Sequence, residues 1–167
     1  AISTIQAAFD GIDAISELVQ QAKGLASNAK VTGNTNERST LAVQFNSLLA
    51  QVDNIANDST FNGINLLKAA PDNLDVVFNE SNTSNLTITG LDATTASTGI
   101  NLGVAANNFG SNANIDAALT QLSSALTSLR GNGATLGSNN TILKTALKHI
   151  LSLNVLIDTK IYKHPST

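Results

Sequence analysis

Apolar residues recur at alternating steps of four and three in widely separated parts of this chain. Leu41, Phe45, Leu48, Val52 and Ile55 follow that spacing, and so do Ile115, Leu119, Leu122, Leu126 and Leu129. Such spacing lays one apolar stripe along a helix and predicts a seam that must be covered by other helices. A third stripe runs through Ile2, Ile5, Phe9, Ile12, Ile15, Val19, Ala22, Leu25, Ala26 and Ala29. Three stripes with no other partner in the sequence predict that the helices bury against one another.

Punctuation between the stripes sets the expected elements. The first helix covers 1–30 and stops before Val31-Thr32-Gly33-Asn34-Thr35-Asn36, a turn-forming run. Gly11 and Gly24 each weaken it by about 1 kcal/mol relative to Ala. The second helix covers 37–57, with Asn36 as its expected N-cap. It ends at Asn57-Asp58-Ser59-Thr60, and Asn62-Gly63 then favours a tight turn. Residues 74–89 change period: Leu74–Phe78 and Leu86–Thr89 are short, β-branched and partly alternating, so a β-hairpin is expected. Residues 90–111 read as an irregular connection. A long helix is expected over 112–158, interrupted at Gly131 and Gly133, followed by a patternless tail over 159–167. The whole of 1–167 reads as a single, mainly α domain. It is an elongated helical bundle of two N-terminal helices and a long C-terminal one, with a small β-hairpin.

Composition narrows the function. Of 167 residues, 42% are hydrophobic but only 4% aromatic, so the core rests on Leu, Ile, Val and Ala. That material suits helices side by side better than a globule with a large pocket. Charged residues are 13% and the net charge is −3, with no Lys/Arg cluster. No nucleic-acid partner and no anionic membrane surface are therefore expected. No apolar run reaches the roughly 18–20 residues of a membrane span. The start lacks the charged and apolar regions of a signal peptide. Cysteine is absent, which removes disulfides, thiolate metal sites and a Cys nucleophile. Met is absent too, and the chain opens on what reads as the middle of an amphipathic helix, so a processed chain or a fragment is expected.

Catalytic chemistry finds little material. His149 and His164 lie far apart in sequence and fit no metal-binding spacing. Asp72, Asp75 and Glu80 around the hairpin lack the regular offsets of an oxygen-ligand site. No GxSxG, Walker-type or GxGxxG motif occurs. Asn82-Thr83-Ser84 and Asn85-Leu86-Thr87 are Asn-x-Ser/Thr triplets of the sort that chance supplies in so Asn-rich a sequence. No catalytic residue, metal ligand or cofactor is expected, and the chain reads as a non-enzyme.

A resemblance adds to these readings. Arg38 through Ala56 carries the pattern R…L…F..L…VD.IA and leads into Thr60-Phe61-Asn62-Gly63-Ile64-Asn65-Leu66-Leu67. This is similar to the N-terminal core signature of bacterial flagellins, a heptad helix followed by FNGxxLL. Leu18 through Ala26 resembles the end of that family's first core helix. Ala117–Leu126 and Ala134–Asn139 resemble its C-terminal core helix. The likeness covers roughly residues 12–67 and 114–145. It implies the family's helical rod with a hairpin patch, and a turn motif made of Phe61, Asn62, Gly63, Leu66 and Leu67. It also implies a role as a structural subunit of the flagellar filament, extracellular, exported by the flagellar secretion apparatus. The implied partners are other flagellin subunits, a flagellar export chaperone and an innate immune receptor of the Toll-like class. Flagellins carry terminal helices that are not recognisable here, so the resemblance predicts a monomer. By motif, the receptor-facing positions are Gln21 and Leu25 on the first helix and Gln51 on the second. Strongly stimulatory flagellins have Arg and Glu in place of Gln21 and Gln51, so weak receptor activation is expected; otherwise these are ordinary solvated residues. Two other readings are a hook–filament junction protein with the same helical core and a surface adhesin that binds polysaccharide.

Overall fold

The computed structural model describes residues 1–79 and 84–163, with side chains described up to residue 153. Its elements are α1 (Ile2–Thr32), α2 (Thr35–Asp58), β1 (Thr60–Phe61), β2 (Ile64–Asn65), β3 (Leu74–Val77), β4 (Asn85–Ile88), a single 3₁₀ turn (Ala106–Phe109) and α3 (Asn112–Lys163). The architecture is mainly α, a helical bundle as the stripes predict, with the expected hairpin of β3 and β4 and a second, shorter one of β1 and β2 where the sequence predicts only a turn. Glu80, Asn82 and Thr83 of the hairpin loop and His164 of the tail lie outside the described residues.

α1 is the central helix, packed along both α2 and α3. Its buried face comprises Ile5, Ala8, Ile12, Ile15, Val19, Ala22, Ala26 and Ala29. The Ala run toward its C-terminus lets the neighbouring helix come close, because a methyl group takes up little room. Phe9 is only half-buried, on the flank of this face.

The reversal between α1 and α2 is tighter than the sequence suggests. Gly33 takes a left-handed φ of 62° and stops α1 after Thr32, the conformation that favours Gly at this place. Asn34 then caps α2: its side chain accepts from the backbone N–H of Asn36 at 3.0 Å and of Glu37 at 3.1 Å. The cap is thus Asn34 and not Asn36. Asn36 already sits in the first turn, where its own N–H is one of the donors that the cap satisfies. The Thr32 hydroxyl donates to the Glu37 carboxylate across the same reversal.

α2 buries Arg38, Ala42, Phe45, Leu49, Val52 and Ala56. Phe45 and Val52 sit centrally, as the heptad reading has it, but Leu41, Leu48 and Ile55 are half-buried on its flank. The cause is a second neighbour. Residues 90–111 are irregular in backbone but well packed, burying Ala93, Ile100, Leu102, Ala105 and Phe109. Phe109 meets Phe45 edge to face with ring centroids 5.0 Å apart. Covered from two sides, α2 needs an apolar face broader than a two-helix seam. Side chains of α2 also fasten the connection. The Asp53 carboxylate accepts from the Thr95 backbone N–H at 2.8 Å and from its hydroxyl, and Asn46 Oδ1 accepts from the Ala105 N–H at 2.8 Å.

β3 and β4 pair antiparallel with Leu74 opposite Ile88 and Val76 opposite Leu86. That face is buried or half-buried, while on the other face the Thr87 hydroxyl donates to Asp75 at 2.7 Å. The period of two in the sequence is this division of faces.

α3 runs unbroken through Gly131 and Gly133 to Lys163, past the limit of 158 expected for it. Gly131 is exposed with open space around it, whereas Gly133 and Gly137 lie against α1. A Cβ at Gly133 would sit 4.0 Å from Ile12 Cγ2, and one at Gly137 3.8 Å from Phe9 Cζ. Ile115, Leu122, Leu126, Leu129, Leu136 and Leu143 are buried on the same stripe, with Leu119 half-buried beside it. Exposed threonines on α3 return their hydroxyls to the carbonyl four residues back, as Thr120, Thr127, Thr135 and Thr141 do. This satisfies them within the helix.

Arg38 ties the three helices together at one end. Only 8% exposed, it donates from Nε to the Ala29 carbonyl at 2.8 Å and from Nη2 to Asn112 Oδ1 at 2.6 Å. One side chain of α2 thereby satisfies a carbonyl of the last turns of α1 and holds the first residue of α3. Beside it Lys30 reaches Asp116 at 2.7 Å on the surface.

Candidate functional site

The Phe61–Leu67 segment is built around one buried polar residue. Asn62 and Gly63 form the tip of the β1–β2 turn with φ of 50° and 76°. Thr60 pairs with Asn65 and Phe61 with Ile64. Two consecutive positive φ values suit this two-residue hairpin turn, and Asn followed by Gly adopts them most readily.

Asn65, 2% exposed, holds the segment to the bundle. Its Nδ2 donates to the carbonyls of Ala56 at 2.8 Å and Asn57 at 3.0 Å, in the last turn of α2. Its Oδ1 accepts from the N–H groups of Leu67 at 2.8 Å and Lys68 at 3.0 Å. Its backbone N–H donates to Asp72 Oδ2 at 2.9 Å. That bond, with Lys68 beside it, holds the Asp72 carboxyl below its ordinary value. Leu66 and Leu67 are then driven into the core, both at most 1% exposed, and their carbonyls receive the N–H groups of Leu91 and Ala93. Gly11 is what lets this segment dock on α1: a Cβ there would lie 2.5 Å from Ser59 Oγ and 2.6 Å from Leu67 Cδ1. The sequence motif picked out Phe61, Asn62, Gly63, Leu66 and Leu67 but not Asn65. Its one signal is a polar side chain flanked by Ile64, Leu66 and Leu67.

The receptor-facing candidates lie on the α1–α2 face but not in one place. Gln21 and Leu25 line a shallow open groove between the helices, with Asn28, Gln44 and Leu48. Val43, 63% exposed, borders the same groove. Gln51, which is exposed, lines a separate depression with Asp10, Asn54 and Asp58. The groove is lined by neutral side chains. No group of His, Cys, Asp or Glu that could hold a metal ion occurs among the described residues. No helix there is long and apolar enough to cross a membrane. His149 lies exposed on α3.

The comparisons fit this geometry. The family model of the bacterial flagellin N-terminal helical region matches residues 1–71, which span α1, α2 and the whole Asn65-centred segment. Over these residues the sequence is flagellin-like. Among solved structures 23 chains match. One is the crystal structure of Bacillus cereus flagellin, with a TM-score of 0.74 and 22% identity over 89% of this chain and 84% of that one. None of the curated proteins matches.

Proposed function

We propose that residues 1–167 form one flagellin-core domain that, when joined to terminal helices, packs lengthwise against other flagellin subunits, and that it does no catalysis. The observation that carries this reading is the Asn65-centred joint, which lies within the matched residues 1–71 and locks the FNGxxLL turn onto α1 and α2. A rod fixed at such joints presents rigid lateral faces, as a tubular assembly requires. Export through the flagellar secretion apparatus, with a chaperone as escort, belongs to the same reading. The test is a graft of the chain between the terminal helices of a known flagellin, expressed in a swimmer that lacks its own. Filaments in the electron microscope are the expected result. Export without filaments would overturn the assembly role and favour a junction protein or a polysaccharide-binding adhesin.

Recognition by the innate immune receptor is proposed to be weak. Gln21 and Gln51 place neutral side chains where the resemblance expects charged contacts, and such contacts at an interface centre are worth several kcal/mol. Reporter cells are expected to respond far less than to a potent flagellin. An equal response would overturn this.

A further inference from the structure

The chain holds two Asn-Gly steps, Asn62-Gly63 and Asn132-Gly133, and the fold places them in opposite chemical situations. We propose that Asn62 is a site of spontaneous covalent modification, deamidation through a cyclic imide, and that Asn132 is protected from it.

The reaction needs the backbone nitrogen of the following residue to reach the Asn side-chain carbon. Gly63 N attacks Asn62 Cγ and a new N–Cγ bond forms. The Cγ–Nδ2 bond breaks, and Nδ2 leaves as ammonia carrying the proton lost from the Gly63 amide. One water then opens the imide at either carbonyl. Opening at one restores the chain as Asp, and opening at the other routes it through the side chain as isoaspartate. No oxidant or cofactor is involved.

Three features of the β1–β2 tip favour the attack. The Gly63 N–H has no hydrogen-bond partner among the described residues, because the ladder pairs are Thr60 with Asn65 and Phe61 with Ile64. Asn62 and Gly63 are both exposed, which admits the water and base that the reaction needs. Nothing lies within 4 Å of the place a Gly63 Cβ would occupy, so no other part of the fold packs against that side of Gly63. Asn132-Gly133 differs on each count. It lies inside α3, where the helix ladder engages the backbone N–H groups. Both residues are half-buried, with Ile12 beside Gly133. The helix must open locally before that nitrogen can turn toward the side chain.

The products change the turn. Either one adds a carboxylate at the exposed tip of the turn. Isoaspartate also lengthens the backbone by one methylene within a turn of two residues, which removes the geometry that pairs β1 with β2.

The test is incubation of the folded chain in mildly alkaline buffer, followed by peptide mapping. Isoaspartyl methyltransferase with S-adenosylmethionine serves as the probe for isoaspartate. The Asn62 peptide is expected to convert at least about tenfold faster than the Asn132 peptide, since local opening at roughly 1.4 kcal/mol already gives that factor. In urea the two rates are expected to converge. Asn62→Gln is expected to abolish the early acidic form. Equal rates in the folded chain, or an unchanged acidic form in Asn62→Gln, would overturn the proposal.

Discussion

The two helical pairs of this molecule are held by different means. Where α2 meets α1 and the connection over 90–111, the apolar contact is supplemented by polar devices of fixed geometry: the Asn34 cap, the Asn65 joint and the Asp53 clamp on Thr95. The distal part of α3 has few of these. Its stripe is thinned by Gly133 and Gly137, and Asn140, between Leu136 and Leu143, buries an Oδ1 with no hydrogen-bond partner among the described residues. Apolar periodicity suffices to place a helix against a neighbour. Directed hydrogen bonds set where along that neighbour it sits, since each is lost when the register shifts.

Truncations in the two regions give the largest expected contrast. Phe45→Ala removes the partner of Phe109 from a closely packed place and is expected to cost about 3–5 kcal/mol. Leu143→Ala is expected to lie nearer the low end of its range of about 2–5 kcal/mol, because a sparser seam relaxes into the space. Urea unfolding followed by circular dichroism measures both, and a larger loss for Leu143→Ala would break the contrast. Glycine substitutions sharpen it with smaller effects of opposite sign. Gly11→Ala drives a methyl into Ser59 and Leu67 and is expected to destabilise by about 1–3 kcal/mol. Gly131→Ala meets nothing within 4 Å and is expected to stabilise by about 1 kcal/mol through helix propensity alone. The smallest effect is pH-dependent. The folded-state value of Asp72 is lowered from the ordinary 3.8, so its contribution is complete above that value and is lost as pH falls through the lowered one. With the side chain 37% exposed, solvent screens much of it. A shallow extra loss of thermal stability is expected on acidification through that range, absent in Asp72→Asn. Identical pH profiles for the two proteins would remove Asp72 from the account.

The helices were legible because their signal is local: every step of four or three is written within one element. The joints were not, because they connect distant residues. Asp53 and Thr95 are 42 positions apart, and nothing in either residue announces the other. Asn65 looks like any Asn of an Asn-rich chain until the end of α2 is folded over it. Gly11 and Gly24 are equivalent as helix-weakening residues in one stripe, yet one lies under Leu67 and the other has open space around it. Gln21, Leu25 and Gln51 came from motif position alone, which gives their helices but not their separation into two depressions.

Arg38 has one more consequence. Its acceptors are a peptide carbonyl and a side-chain amide, and neither can be titrated. Its burial keeps dissolved ions at a distance. The neighbouring Lys30–Asp116 pair is 46% and 53% exposed, so it weakens as salt rises and screening shortens to about 10 Å or less. The end of the rod is therefore fastened twice, once by a contact that follows the medium and once by a contact that ignores it. Moved from fresh water to brine, the chain weakens the first and keeps its three helix ends in place by the second.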